Sequence, residues 1–343
     1  MSISKGRIHF LDSCRAIAII MVIGQHALGY SQLSPEIQTA FKYWFQIAVP
    51  VFFLVDGYLF SHKLERIGEL DYSKYIGESA RRLVGPWVFF SGLYFITRLA
   101  YEYFGHPLDH VVLGRDSVDL LAAVWVGAPA VQMYFLLSLF FVRSLAFATK
   151  HLRGVPPIFI FAAVWLMNGL WGFINGMTIG GFQLKASWGG GQDPLLHAIW
   201  GLQYYLLGCA LYVSNSWLSK HAVFLAAGAA TAFMAISFGE FGVPALAQYS
   251  YLCSFYLLFL AMGDQQRLLG EIGASTMGIY LLHQPIILKA TSVLAASLFD
   301  GRPVSCYLVV VIGTLMCSIG GARLLLKVPL GHKILGGTRS SPT

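Results

Sequence analysis

An apolar stretch near the N-terminus, Phe10–Leu28, carries three side chains that lipid does not accept without cause: Asp12, Arg15 and His26. A charge at the centre of a membrane helix costs about 2.5–3.5 kcal/mol on insertion scales, so such a set needs a compensating role. Arg15 and His26 stand eleven residues apart. Over that interval a helix returns to within about 20° of its starting face and rises roughly 16 Å. The two side chains therefore look down one face, one near each end of the helix. That geometry suits a substrate that enters on one side of a membrane and reacts near the other. The plainer reading is a helix-start ion pair between Asp12 and Arg15, with His26 at the interface.

The rest of the chain must position this helix, and its composition says how. It is 57% hydrophobic and 11% charged over 343 residues, with a mean hydropathy of +0.65; soluble domains carry about 25% charge. This is an integral membrane protein, read as one transmembrane domain over 1–343 with short cytoplasmic tails at 1–9 and 328–343. A basic leader (Lys5, Arg7) precedes the first apolar helix, but no small-x-small site closes it, so it is read as a retained span. The net charge of +7 is spread by topology and forms no soluble basic patch, which argues against nucleic acid as a partner. Cys14, Cys209, Cys253, Cys306 and Cys317 are scattered through apolar segments without metal-ligand spacing, and no metal is implied. Gly189-Gly190-Gly191 has no phosphate-loop context.

Hydropathy over windows of about 19 residues predicts an all-α polytopic protein of about ten transmembrane helices. The expected spans are 10–28, 41–60, 84–104, 132–148, 156–177, 194–213, 221–238, 243–263, 273–298 and 304–325. With both termini cytoplasmic, the outer loops hold only Lys42, Arg115, Lys185 and Arg302, and the inner segments hold most other basic residues. That bias has the direction the positive-inside rule demands. Residues 61–83 are expected to form a helix along the inner surface, and 178–193 a Gly-rich outer loop containing Trp188.

Several segments resemble the integral-membrane acyltransferase family 3, of the type that O-acetylates sugars and polysaccharides. Arg15, ten intervening residues and His26 are similar to the family's first span. Val49-Pro-Val-Phe-Phe-Leu-Val-Asp-Gly-Tyr-Leu-Phe60 is similar to its second, and Arg81-Arg82-Leu-Val-Gly-Pro86 to the basic motif before its third. Met133-Tyr-Phe-Leu136 and Gly278-Ile-Tyr-Leu-Leu-His283 resemble two further family segments. Two departures stand out. Asp56 occupies the place where serine is usual before Gly57, and Glu78 stands where an Arg-x-x-x-Arg spacing would put its first arginine.

The resemblance implies an acyl-CoA-dependent transferase of the bacterial inner membrane. It would move an acetyl group from cytoplasmic acetyl-CoA, its co-substrate, to an extracytoplasmic glycan or lipid-linked sugar. Arg15, Arg81 and Arg82 would then bind the CoA phosphates, since guanidinium forks give charge-assisted bonds to phosphate. His26 would meet the thioester and the acceptor hydroxyl together, as general base or, in a variant, as a nucleophile passing through an acyl-imidazole. Asp56 would neutralise a donor-site arginine or merely face headgroups.

Other polar residues have structural readings beside functional ones. Arg98 and Glu102 lie one turn apart and are expected to pair, with sugar binding as the alternative. His283, followed closely by Pro285, is expected to be a buried histidine bonded to a neighbouring helix, with a catalytic role as the alternative. Trp188 and Tyr204-Tyr205 would stack on sugar faces or serve as interface aromatics. The competing function is a secondary transporter or flippase for a glycolipid or organic anion, which intramembrane Asp, Arg and His would also serve. Against it, no paired Gly/Pro-interrupted spans recur in matching halves.

Overall fold

A computed structural model of the chain describes residues 8–68, 70–104, 124–125, 131–145, 154–179, 182–183, 187–188, 191–238, 244–263, 266–299 and 301–335. The expected tails lie mostly outside these residues. In chain order the helices are α1 His9–Ala27, α2 Pro35–Phe45, α3 Ala48–Ile67, α4 Tyr72–Tyr103, α5 Tyr134–Leu145, α6 Pro157–Ile174 and α7 Pro194–Val213. They continue with α8 Asn215–Phe238, α9 Pro244–Met262, α10 Arg267–Ala274, α11 Thr276–Leu282, α12 Leu288–Leu298, α13 Pro303–Lys327 and α14 Gly331–Ile334. Between α7 and α6 the chain makes two short antiparallel pairings, Thr178–Ile179 with Phe182–Gln183 and Ser187–Trp188 with Gly191–Gln192.

Sequence explains where these helices begin. Pro35, Pro157, Pro194, Pro244 and Pro303 open α2, α6, α7, α9 and α13, where the missing N–H costs nothing because the first-turn donors are unpaired in any case. Asp71 caps α4 by accepting from the Lys74 amide at 3.0 Å, and Asp193 caps α7 by accepting from Leu195 and Leu196, each at 2.9 Å.

The protein is an all-α polytopic membrane protein. Among the described residues, 8 helical stretches are long and apolar enough to cross a bilayer. Of the ten expected spans, two are not among them. The fourth is the shorter α5, and the sixth is α7, whose length suffices but which carries His197, Gln203, Tyr204 and Tyr205. The faces these helices leave open are greasy: Phe159 on α6, Phe224 on α8 and Leu324 on α13 are exposed. Such a surface is stable only against lipid.

The expected surface helix over 61–83 is corrected. α3 continues to Ile67, a short turn follows, and α4 runs unbroken through Pro86 to Tyr103. Its 32 residues rise roughly 48 Å, longer than the roughly 30 Å hydrocarbon layer. Arg81 and Arg82 thus belong to the extension of a long helix.

The chain divides into two compact units, Met1–Glu65 with Tyr204–Gly320, and Arg66–Gln203 with Gly321–Thr343. In the first, α8 and α9 form a close antiparallel hairpin, and α1 lies against α2, α9, α10 and α11. Glycines let backbones meet directly there. A Cβ at Gly273 would strike the Asp12 carbonyl, one at Gly57 the Tyr205 carbonyl, and one at Gly208 the Leu54 carbonyl. Close approach through small residues is how membrane helices gain packing energy without a hydrophobic drive. In the second unit α4 packs on α5 and α14, and the Tyr72 hydroxyl donates to the Ser144 carbonyl.

Candidate active site

α1 is an uninterrupted helix, so the rise and rotation between Arg15 and His26 stand as the spacing requires. At its N-terminal end Arg15 Nη1 lies 3.3 Å from Asp12 Oδ1, with the carboxylate nearly enclosed and the guanidinium side chain 28% exposed. Asp12 thus meets the guanidinium from the same helix, and the Arg15 side chain as a whole stays partly exposed. Backbone contact with Gly273 of α10 seats this turn. Phe10, one turn earlier, packs edge-on against Tyr58 of α3 and Tyr256 of α9.

At the other end, His26 is half-buried, and its ring centre lies 5.6 Å from that of His283, with the planes inclined at 39°. His283 opens a wide turn, His283–Ile287, between α11 and α12. Pro285 supplies no amide to the helix, and Gln284 takes an extended conformation (φ −122°, ψ 155°), so the helix is interrupted beside the ring. The His283 side chain is completely buried. Its Nδ1 lies 2.7 Å from the Tyr280 carbonyl. A carbonyl only accepts, so Nδ1 carries the proton, and Nε2 of the neutral ring is left as an acceptor. That buried Nε2 has no hydrogen-bond partner among the described residues.

The surroundings hold the last turn of α1 in place. Tyr307 of α13 donates its hydroxyl to the Gly24 carbonyl at 3.2 Å. Its ring stacks on Phe41, which stacks on Phe45 of α2. A Cβ at Gly24 would meet Phe45 at 2.9 Å, so glycine is the residue this contact admits. Ala27, Leu28, Leu288 and Val310 complete a buried cluster beneath.

The remaining sequence-predicted residues sort as follows. Asp56 is buried within α3. Arg81 and Arg82 are exposed on α4, in the second unit. Arg98 Nε and Glu102 Oε1 are 3.9 Å apart with both side chains mostly enclosed, the expected one-turn pair. His283 is buried as expected, but its recorded bond runs to its own helix, not to a neighbouring one. Tyr204 and Tyr205 are core residues and not a sugar platform: Tyr204 donates to Gln248 Oε1 at 2.7 Å, and Tyr205 packs on Phe60. The Trp188 side chain lies outside the described residues. Sequence reasoning missed Tyr307 and Gly24, and missed that His283 lies beside His26. The signal available for the last was a second intramembrane histidine followed at once by a helix break.

The fold is that of a polytopic helical membrane protein whose first helix carries Arg15 towards one end and, towards the other, His26 beside His283. The family model for the acyltransferase 3 acyltransferase domain matches residues 8–323, and the chain belongs to that family. It is a membrane acyltransferase. No curated protein and no solved structure matches it.

Proposed function

We propose that this acyltransferase moves an acetyl group from cytoplasmic acetyl-CoA to a hydroxyl of an extracytoplasmic glycan or lipid-linked sugar. It would do so in a bacterial inner membrane with both termini cytoplasmic. The observation that carries the reading is the first helix itself, with a partly exposed arginine at one end and an imidazole at the other. Arg15 binds the donor through its phosphates, with Asp12 holding the guanidinium in place. Arg81 and Arg82, exposed on α4 of the other unit, are further cationic candidates for a phosphate-bearing donor in their own right, and Asp56 is a supporting carboxylate. Arg98 and Glu102 are assigned to holding α4 and not to the acceptor.

The extended pantetheine arm lies along the face of α1 and brings the thioester to His26. There the acceptor oxygen attacks the thioester carbonyl carbon while its proton passes to a ring nitrogen of His26. The C–S bond breaks, and the thiolate takes that proton from the imidazolium and leaves as CoA-SH. The products are an acetate ester and a free thiol, and His26 ends as it began. The test is membrane vesicles given acetyl-CoA labelled in the acetyl group, with intact protein and with His26→Ala. Label reaching a glycan or lipid only with His26 present supports the reading; transfer that persists without His26 removes the base from it.

A further inference from the structure

We infer that His283 is a positioning residue for His26: its Nε2 accepts a hydrogen bond from a ring N–H of His26 and so turns the other nitrogen of His26 toward the acceptor hydroxyl. The inference rests on the proposed role of His26 as base. Three observations carry it. The Tyr280 carbonyl commits the proton of His283 to Nδ1, so the ring offers only an acceptor on its other side. That acceptor is fully buried and without a partner among the described residues, an arrangement that costs about 1–3 kcal/mol unless something donates to it in the working state. The imidazole beside it is that of His26, 5.6 Å away between ring centres and inclined at 39°.

An in-line N–H···N bond of ordinary length puts two imidazole centres about 5 Å apart. The observed separation is therefore within a small side-chain rotation of that bond, as is common for catalytic hydrogen bonds before substrate arrives. The arrangement has the logic of a base held by an orienting acceptor, with an imidazole where carboxylates often serve. When His26 takes the hydroxyl proton, both its nitrogens carry hydrogen. One then donates to His283, and the other returns its proton to the departing thiolate. His283 neither gains nor loses a proton in the cycle. The break at Gln284-Pro285 matters here because it ends α11 at the residue whose side chain must reach across.

Two substitutions separate positioning from simple packing. His283→Gln keeps an acceptor close to the place of Nε2 and gives up the Nδ1 bond. His283→Asn keeps a donor near Nδ1, still able to bond the Tyr280 carbonyl, and gives up the acceptor that faces His26. With labelled acetyl-CoA and native membrane acceptor, the glutamine variant is expected to keep about a tenth or more of the transfer rate. The asparagine variant should fall about a hundredfold, with unchanged KM for acetyl-CoA. An asparagine variant as active as glutamine, or more so, overturns the inference, because packing and the Tyr280 bond would then be all that His283 provides. If intact protein transfers no acetyl at all, the acetyl-transfer reading falls separately. The pair is then judged by solid-state NMR of protein labelled with ring-¹⁵N histidine in lipid. A coupling across a His26–His283 hydrogen bond supports the inference, and its absence overturns it.

Discussion

At the N-terminal end of α1 a charge is held by a charge from its own helix, Arg15 by Asp12 at 3.3 Å. At the C-terminal end an imidazole faces another imidazole delivered from the far end of the chain, His26 against His283. The first arrangement is local, polar and partly exposed, which on the proposed reading suits a group that binds a large anion. The second is non-local, with His26 half-buried against a fully buried His283, and it is seated by packing from α2, α12 and α13. On the proposed reading, the contrast teaches that binding and chemistry ask different things of one helix. A phosphate can find a guanidinium that has some freedom, whereas a proton transfer tolerates little error in the angle of a ring.

The comparison breaks most readily at His26. His26→Ala is expected to lower acetyl transfer by about 10²–10⁴-fold while acetyl-CoA binding to the membranes is unchanged; a variant that lost binding instead would erase the division between the two ends. Arg15→Ala should show the converse signature. Its KM for acetyl-CoA rises about ten- to a hundredfold with kcat little altered, and Arg15→Lys recovers only part, since an ammonium lacks the bidentate fork. A kcat effect without a KM effect would place Arg15 in the chemistry. Gly273→Ala tests the seating of the local end: its Cβ meets the Asp12 carbonyl, and a loss of about 1–3 kcal/mol in unfolding free energy is expected. The smallest effect belongs to Tyr307→Phe. It removes one bond to the Gly24 carbonyl, for about 1 kcal/mol in stability and less than a tenfold loss of transfer.

How much of this was legible in the sequence follows the same division. The Arg15–His26 face could be read because both residues share one helix, whose period is known, and the Asp12–Arg15 and Arg98–Glu102 pairs because they lie within a turn. The membrane class followed from composition. The His26–His283 approach could not be read, since it depends on how α10 and α11 pack along α1 from a distant part of the chain. The burial of Tyr204 and Tyr205 was hidden for a related reason. Hydropathy cannot tell a tyrosine facing a neighbouring helix from one facing an interface, and here Gly57 and Gly208 bring α3 close to α7. Among the described residues α5 is shorter than a full span, and α7, though it covers 194–213 as expected, is made less apolar by His197, Gln203, Tyr204 and Tyr205.

The glycine contacts carry one more consequence. Where Gly273 meets the Asp12 carbonyl, and Gly57 and Gly208 meet the carbonyls of α7 and α3, no layer of side chains lies between the backbones. Side-chain layers are what packed helices slide on when they shear past one another. Helices that touch carbonyl to Cα have no such bearing, so rocking one past another would require the backbones first to separate. Helices joined this way, α1 to α10 and α3 to α7, are suited to standing still. On the proposed reading, the moving part is then the cargo: a long thioester arm carries two carbons past a stationary face, and the barrier to the rest of the donor stays shut throughout.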